Sequence, residues 1–308
     1  MHFSGDLGPE FRKTNMSTVR IGTRLVGDGN PCYVIAEIGI NHNGDIEVAK
    51  RLIDIAADAG CDAVKFQKRT VDVVYTAEEL AKPRENPFGE TNGDLKRGLE
   101  FGRTQYEAID AYCREKEMPW FASCWDEEAV DFIDAFNPPC YKIASASLTD
   151  DHLLKHTRAK GKPIMLSTGM SSHDEIHHAV QVLGKEDLIL LHSCSTYPAY
   201  YEELNLRVIP VLRQQYGVPV GYSGHETGIP SSVAAVALGA CVIERHVTPD
   251  RSLWGSDQAA SLEPSGITRL VRDIRLIETS MGDGVKRVLE REVPVMQKLR
   301  RVGGWRDR

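Results

Sequence analysis

From residue 33 onward, short apolar runs rich in β-branched residues alternate with longer segments whose apolar positions recur at helical spacing. Residues 33–37 (YVIAE) have the unbroken apolar character of a buried strand. Residues 46–59 then place Ile46, Ala49, Leu52, Ile53, Ala56 and Ala57 on one helical face. Further strand candidates follow at 63–66, 119–122, 140–143, 163–167, 188–192, 218–222 and 242–244, which with the first makes eight. Helices are predicted around 104–117, 126–135, 150–159, 173–183, 205–215, 229–238 and 265–279. Strands apolar on both faces need cover on both, and parallel sheets obtain it from crossover helices. A doubly wound open sheet is the competing architecture, but no GxGxxG follows any strand. The expected fold class is therefore α/β, a (β/α)8 TIM barrel that uses all eight strands and leaves no edge.

Several segments stand outside the alternation. Residues 18–30 predict a short N-terminal β-hairpin with Asp28 and Gly29 at its turn. Residues 68–103 form a long polar excursion after the second barrel strand, of the kind that serves as a lid or binding loop or else is disordered. Residues 1–17 lack the apolar centre of a signal peptide and read as a polar extension, expected to be disordered, with Met16 a candidate start. The division expected is thus an extension over 1–17, one catalytic barrel over 18–285 and a tail over 286–308.

Composition narrows the partners. A net charge of −7 disfavours nucleic acid and anionic membranes, although a few local cations can still bind a small anion. No run approaches the roughly 18 apolar residues of a membrane span. The seven cysteines form no CxxC pair and suit a reducing, cytoplasmic location.

Barrel chemistry is built at the carboxyl ends of the strands. Polar residues do gather there: Glu37 on the first strand, Lys65 and Gln67 on the second, and Ser123, Cys124 and Asp126 after the third. The ring continues with Lys142 and Ser145, then Ser167, Thr168 and Gly169, then His192. Ser223 and His225 follow the seventh strand, and Glu244, Arg245 and His246 close the eighth. Lys65 and Lys142 lie within strand sequence and admit three readings. They can form internal salt bridges to Glu37 or Glu244, or, with Ser145, Ser167 and Ser223, cradle a phosphate and a carboxylate. Alternatively, Lys142 is a Schiff-base nucleophile. His225 and His246 end neighbouring strands, about 4.8 Å apart, and can either share one cation or be satisfied polar residues. His192 is expected in the core or behind the site, and His152, His156, His173, His177 and His178 on helix surfaces. Cys124 and Cys194 are read as packing or lining residues.

Taken in order, AEIGINHNG (36–44), VKFQ (64–67), YKIAS (141–145), LSTGM (166–170), TYP (196–198), GYSGHE (221–226), IERHVT (243–248) and WGSDQAASLEP (254–264) resemble the N-acetylneuraminate (sialic acid) synthase family. The resemblance implies condensation of phosphoenolpyruvate with an N-acetylated hexosamine, release of phosphate, and a divalent metal, Mn²⁺ with Mg²⁺ or Co²⁺ as other candidates. It implies metal ligation by His225 and His246 and donor binding by Lys65, Lys142, Ser145, Ser167 and Ser223. Glu37, Gln67, Ser123, Tyr197 and Asp257 are then expected near the metal or the substrates, and a homodimer is implied.

The chain also departs from that family's pattern. Ser147 occupies the position of an acidic residue, which leaves Glu37, Asp126 and Asp257 as candidates for acid/base chemistry. Ser195 stands where an asparagine is usual, and Ser123-Cys124-Trp125 replaces Ser-Thr-Pro. The sequence runs to 305–308, and the antifreeze-like domain that many members add is not expected. The donor half matches and the acceptor half does not. The expected acceptor is therefore an acylamino sugar other than N-acetylmannosamine, a phosphorylated sugar or another aldose. A synthase of seven- or eight-carbon keto acids and a catalytically silent binding barrel are the alternatives.

Overall fold

A computed structural model describes residues 17–302, in which eight parallel strands close into a barrel. The chain begins with β1 (Thr18–Ile21) and β2 (Arg24–Gly27), then β3 (Tyr33–Gly39), α1 (Ile46–Ala59) and β4 (Ala63–Lys68). An insertion carries α2 (Val71–Val74), α3 (Ala77–Ala81), β5 (Pro83–Asn86), β6 (Gly89–Thr91) and α4 (Asn92–Leu99), before α5 (Arg103–Glu115). Alternation resumes with β7 (Trp120–Cys124), α6 (Glu127–Asp134), β8 (Tyr141–Ile143), α7 (Asp151–Ala159), β9 (Ile164–Ser167) and α8 (His173–Leu183). It ends with β10 (Leu188–Ser193), α9 (Val208–Tyr216), β11 (Val220–Gly224), α10 (Pro230–Ala237), β12 (Val242–His246) and α11 (Pro264–Met281). A short α12 (Val293–Leu299) lies in the tail. The barrel order is β3-β4-β7-β8-β9-β10-β11-β12, with β12 returning to β3. The (β/α)8 expectation is met. The expected N-terminal extension lies, apart from Ser17, outside the described residues.

Two apolar layers result from strand parity. Val34, Ala36, Val64, Phe66, Ala122, Ile143 and Leu166 face outward and bury the helices' apolar stripes. The opposite parity points inward, where Tyr33, Ile35, Ala63, Phe121, Cys140, Met165, Ile189, Leu191 and Val242 fill the barrel as one cluster with Val19, Ile21 and Val26. The hairpin is thus a plug under the barrel. Each fully buried side chain of this kind contributes roughly 1.5–3 kcal/mol.

Several expectations need correction. The hairpin turns at Gly22 and Thr23, because Ile21 pairs with Arg24 and Gly22 takes φ +54°. Asp28 instead follows β2, where its carboxylate accepts from the Ser17 amide and pairs with Arg213. The 68–103 excursion is ordered. Its short helices expose most positions, which hides their period, but Leu80, Leu95, Leu99 and Phe101 anchor it and His42 stacks on Phe101 at 3.9 Å. Arg245 is not at the barrel mouth. It is completely buried on the outer face of β12, donating to the carboxylate of Glu226 (3.2 Å), the Gly228 carbonyl (2.7 Å) and Ser232 Oγ (2.9 Å).

Removing one partner of such a buried pair leaves a charge without compensation and costs about 3–5 kcal/mol. Arg245→Ala should therefore lower the urea midpoint sharply, and any loss of function should follow from displacement of the segments carrying His225 and His246. Denaturation curves combined with active-site titration check this.

Candidate active site

Above the apolar plug the same inward parity turns polar, giving a first tier of Glu37, Lys65, Ser123, Lys142, Ser167, Ser193, Ser223 and Glu244. One pleat higher stand Gly39, Gln67, Trp125, Gly169, Ser195, His225 and His246. Glu37, Lys65, Gln67, Ser123, Lys142, Ser145, Ser167, Tyr197, Ser223, His225 and His246 line a single cavity of about 630 Å³, including its open mouth. Trp125, Ala144, Ala146, Met170, Ser195 and Glu244 complete the wall.

Glu244 holds the floor together. Its Oε1 accepts from Lys65 Nζ at 3.0 Å, Lys142 Nζ at 3.4 Å and Ser223 Oγ at 3.0 Å. Lys65 also lies 3.3 Å from Glu37 Oε2 and donates to Ser123 Oγ at 3.1 Å. The internal salt bridges are present, therefore, but they line an open cavity rather than a closed core. Burial opposes the Lys65 charge, yet Glu244 and Glu37 outweigh it and hold Lys65 above the ordinary lysine value. Lys142 has only Glu244; burial, together with repulsion from Lys65, brings it down to about 8. Burial would likewise raise Glu244, but Lys142 and Lys65 hold it well below the usual carboxylate range. For Glu37 burial prevails over Lys65, and its carboxyl is raised.

The upper tier has a different character. The His225 and His246 rings lie 5.7 Å apart, and Tyr197 packs on His225 at 4.0 Å. His225 Nδ1 lies 2.6 Å from the Cys194 carbonyl. A carbonyl only accepts, so Nδ1 carries the proton and Nε2 keeps its lone pair. Burial, then the neighbouring His246, pushes His225 down to about 3, so the ring is neutral. Glu37 Oε2 makes only the 3.3 Å ion pair with Lys65, and His246 Nδ1 is buried with no hydrogen-bond partner. Among the described residues, no three His, Cys, Asp or Glu side chains converge closely enough to hold a metal by themselves. Two imidazoles, that of His225 neutral, with the Glu37 carboxylate nearby nevertheless suit a divalent cation that completes its shell with water or substrate.

Gly39 makes this crowding possible. The β3–β4 register shifts between Glu37 and Gly39, which takes φ +55°. A Cβ there would lie 3.1 Å from Glu37 Oε1 and 3.2 Å from both Gln67 Nε2 and the His246 ring.

Three expected site residues lie outside the cavity wall. Asp257 stands behind His246, with Oδ2 3.9 Å from Nδ1. Asp126 caps α6, accepting from Ala129 N at 2.8 Å, and binds Thr70 N at 2.7 Å and Thr70 Oγ1 at 2.8 Å. Its lone pairs are committed to tying the insertion to that helix. Ser147 is buried at the end of a 3-10 turn, its amide donating to the Ala144 carbonyl. His192 is a supporting residue, bound through Nε2 to the Leu204 carbonyl at 2.7 Å. Sequence reasoning put Glu244 in the ring of strand-end residues but gave it no role beyond a possible partner of the lysines, noted Trp125 only as a departure from the family pattern, and gave Met170 no role. Strand parity with His246 and Ser123 was the signal for Glu244 and Trp125.

The profile of the NeuB family matches residues 52–286, from within α1 to just beyond α11. The N-acetylneuraminate-9-phosphate synthase of Mus musculus is 42% identical over 281 residues, covering 90% of this chain and 78% of that protein. The N,N'-diacetyllegionaminic acid synthase of Legionella pneumophila is 34% identical over 290 residues, covering 91% and 82% respectively. The crystal structure of N-acetylneuraminic acid (sialic acid) synthetase from Leptospira borgpetersenii in complex with citrate superposes with a TM-score of 0.80. It is 33% identical and covers 93% of this chain and 99% of that one. With a profile match over most of the barrel and relatives aligned along nearly its whole length, the chain belongs to the NeuB family.

Proposed function

We infer that the chain condenses phosphoenolpyruvate with the open-chain aldehyde of an acylamino sugar, releasing phosphate and forming a nonulosonic-type 2-keto-3-deoxy sugar acid. The observation that carries this reading is the vertical order of charge in one cavity. Two buried ammonium groups and four serine hydroxyls form the floor, and two imidazoles stand directly above them. The synthases among the relatives support the same chemistry.

Phosphoenolpyruvate carries a phosphate and a carboxylate, and the floor offers each an ammonium with hydroxyl donors from Ser123, Ser145, Ser167 and Ser223. Lys142, less well compensated than Lys65, gains most from an arriving anion. His225 and His246 would hold the divalent cation, with Mn²⁺ preferred over Mg²⁺ or Co²⁺. When bound, such an ion supplies Lewis-acid polarisation of an aldehyde oxygen. C3 of the donor then attacks the aldehyde carbon, water adds at the electron-poor C2, and phosphate departs with the electrons of the C2–O bond. Holding both reactants in line is worth about 7–11 kcal/mol where alignment is complete. Glu37, whose carboxyl keeps a proton to higher pH than usual, remains as the acid/base group on the cavity wall, since Asp126 is occupied as a helix cap and Asp257 stands behind His246. Seven free thiols suit a cytoplasmic setting.

Purified protein should release inorganic phosphate from phosphoenolpyruvate only when an acylamino aldose is present, and EDTA should abolish release until a divalent metal is restored. Phosphate release in an aldose panel measures this; no release with any member would reject the reading. The Lys142 ammonium is present below about 8 and lost above it, so KM for phosphoenolpyruvate should climb as pH rises through that value. Replacing Lys142 with Met should flatten that rise and cost roughly 1.5–3 kcal/mol of donor binding, read as the shift in KM.

The depressed Lys142 also favours a second reading, a Schiff-base aldolase. Borohydride with pyruvate should leave no adduct on Lys142 by mass spectrometry. A trapped adduct would replace condensation as the assigned chemistry.

A further inference from the structure

The upper tier of the cavity has two unlike sides. His225 and His246 immediately follow or end β11 and β12, whereas Trp125 immediately follows β7. In the barrel order β11-β12-β3-β4-β7, Trp125 is four strands from His225 in a ring of eight, directly across the mouth. Opposing backbones of such a ring stand roughly 15 Å apart, given strands about 4.8 Å apart and tilted by about 36°. After an imidazole and an indole have projected inward, the span left suits one sugar chain. An aldehyde placed beside the imidazoles therefore directs the remainder of its molecule toward Trp125. That side is also apolar: Ala144 and Ala146 beside β8 and Met170 beside β9 continue the arc that Trp125 begins.

Trp125 is held in place from behind. Its amide donates to the Lys68 carbonyl at 3.1 Å, extending the β4–β7 ladder by one residue. The Arg69 guanidinium lies 4.4 Å from the indole centroid. Arg69 pairs only distantly with Glu100, 3.9 Å away, whose other oxygen binds Lys68 at 3.0 Å. Its contact with the ring is a cation–π stack. The same guanidinium donates to Gln67 Oε1, and Gln67 Nε2 donates to Glu37 Oε1 at 2.9 Å. Trp125 Nε1 is buried without a hydrogen-bond partner.

Resting on the condensation inferred above, we propose that Trp125 is the specificity-determining wall for the acceptor. It receives the N-acyl group of the amino sugar against the indole and the Ala144–Ala146–Met170 arc. Arg69 is a positioning residue that fixes the angle of that wall and links it to Gln67 and Glu37.

The test is steady-state kinetics of the full chain with hexosamines carrying N-acetyl, N-propanoyl or N-butanoyl groups, and with the unacylated hexose, varying phosphoenolpyruvate separately. Trp125→Ala should raise KM for the N-acetyl acceptor about tenfold or more and move preference toward longer acyl chains, with little change in the donor KM. Trp125→Phe, which keeps an aromatic wall, should fall between the two and guards against a folding failure. Arg69→Met should shift acceptor KM in the same direction but less, and Arg69→Lys should restore part of it. Acceptor binding should quench intrinsic fluorescence in the native protein and much less in Trp125→Phe, a readout independent of turnover. Equal losses with acylated and unacylated sugars, or a donor KM that moves in step, would overturn the wall. A native protein inactive with every aldose would instead remove the condensation reading itself.

Discussion

One carboxylate oxygen makes the site possible. Two lysine side chains cannot be buried side by side in an apolar barrel unless an anion shares them, because an isolated buried charge loses several kcal/mol of solvation. Glu244 Oε1 is that anion, accepting from Lys65, Lys142 and Ser223 together. The sharing is uneven. Lys65 has Glu37 as a second partner and is held charged, whereas Lys142 depends on Glu244 alone and is brought down to about 8. The floor is therefore short of negative charge on the Lys142 side, which is a physical reason for a small anion to bind there despite the chain's net charge of −7. These residues come from β3, β4, β8, β11 and β12, so only barrel closure assembles them.

The apolar plug and the outer layer keep that arrangement fixed. Below the floor, Ile35, Phe121, Met165, Leu191 and Val242 exclude water, with the β1–β2 hairpin closing the foot, and electrostatic interactions above them are correspondingly strong. Outside β12, Arg245 binds both the side chain and the carbonyl of Glu226, the residue after His225. The strand carrying His246 is thereby clamped to the segment carrying His225 from the side away from substrate. The Cys194 carbonyl then fixes the His225 ring through Nδ1. Backbone clamp and ring tautomer together orient the imidazole pair, with Tyr197 stacked on His225.

The barrel was legible because its strands are apolar on both faces over most of their length. Their polar upper ends were not: β12 continues through Glu244, Arg245 and His246 because the ladder persists after apolarity stops. Counting polar residues at strand ends brought the lysines, serines and histidines together correctly. Alternation, which separates inward Glu244 from outward Arg245, was the missing step. Asp126 failed as a site candidate for another reason, since a carboxylate before a helix is equally a cap, and Ala129 and Thr70 claim it. The Asp28 and Gly29 turn signal was genuine chemistry at the wrong place, because register is decided by which of Val19, Ile21 and Val26 can reach the core.

The two tiers differ in what they can tolerate. In the floor, each charged group is a partner of another, so changing Lys65, Lys142 or Glu244 alone strands a buried charge, and the chemistry of the donor is locked with it. In the mouth, Met170 and Ser195 carry no charge partner, Trp125 meets the charged groups only through its stack on Arg69, and Met170 is 68% exposed. A substitution there changes the shape of the wall without costing the floor its neutrality. The departures at Ser195 and Trp125 both fall in this permissive tier, and Ser147 lies outside the cavity altogether. Physical coupling thus leaves the mouth freer to change than the floor. A single barrel can keep one donor fixed while its rim is rebuilt for another sugar.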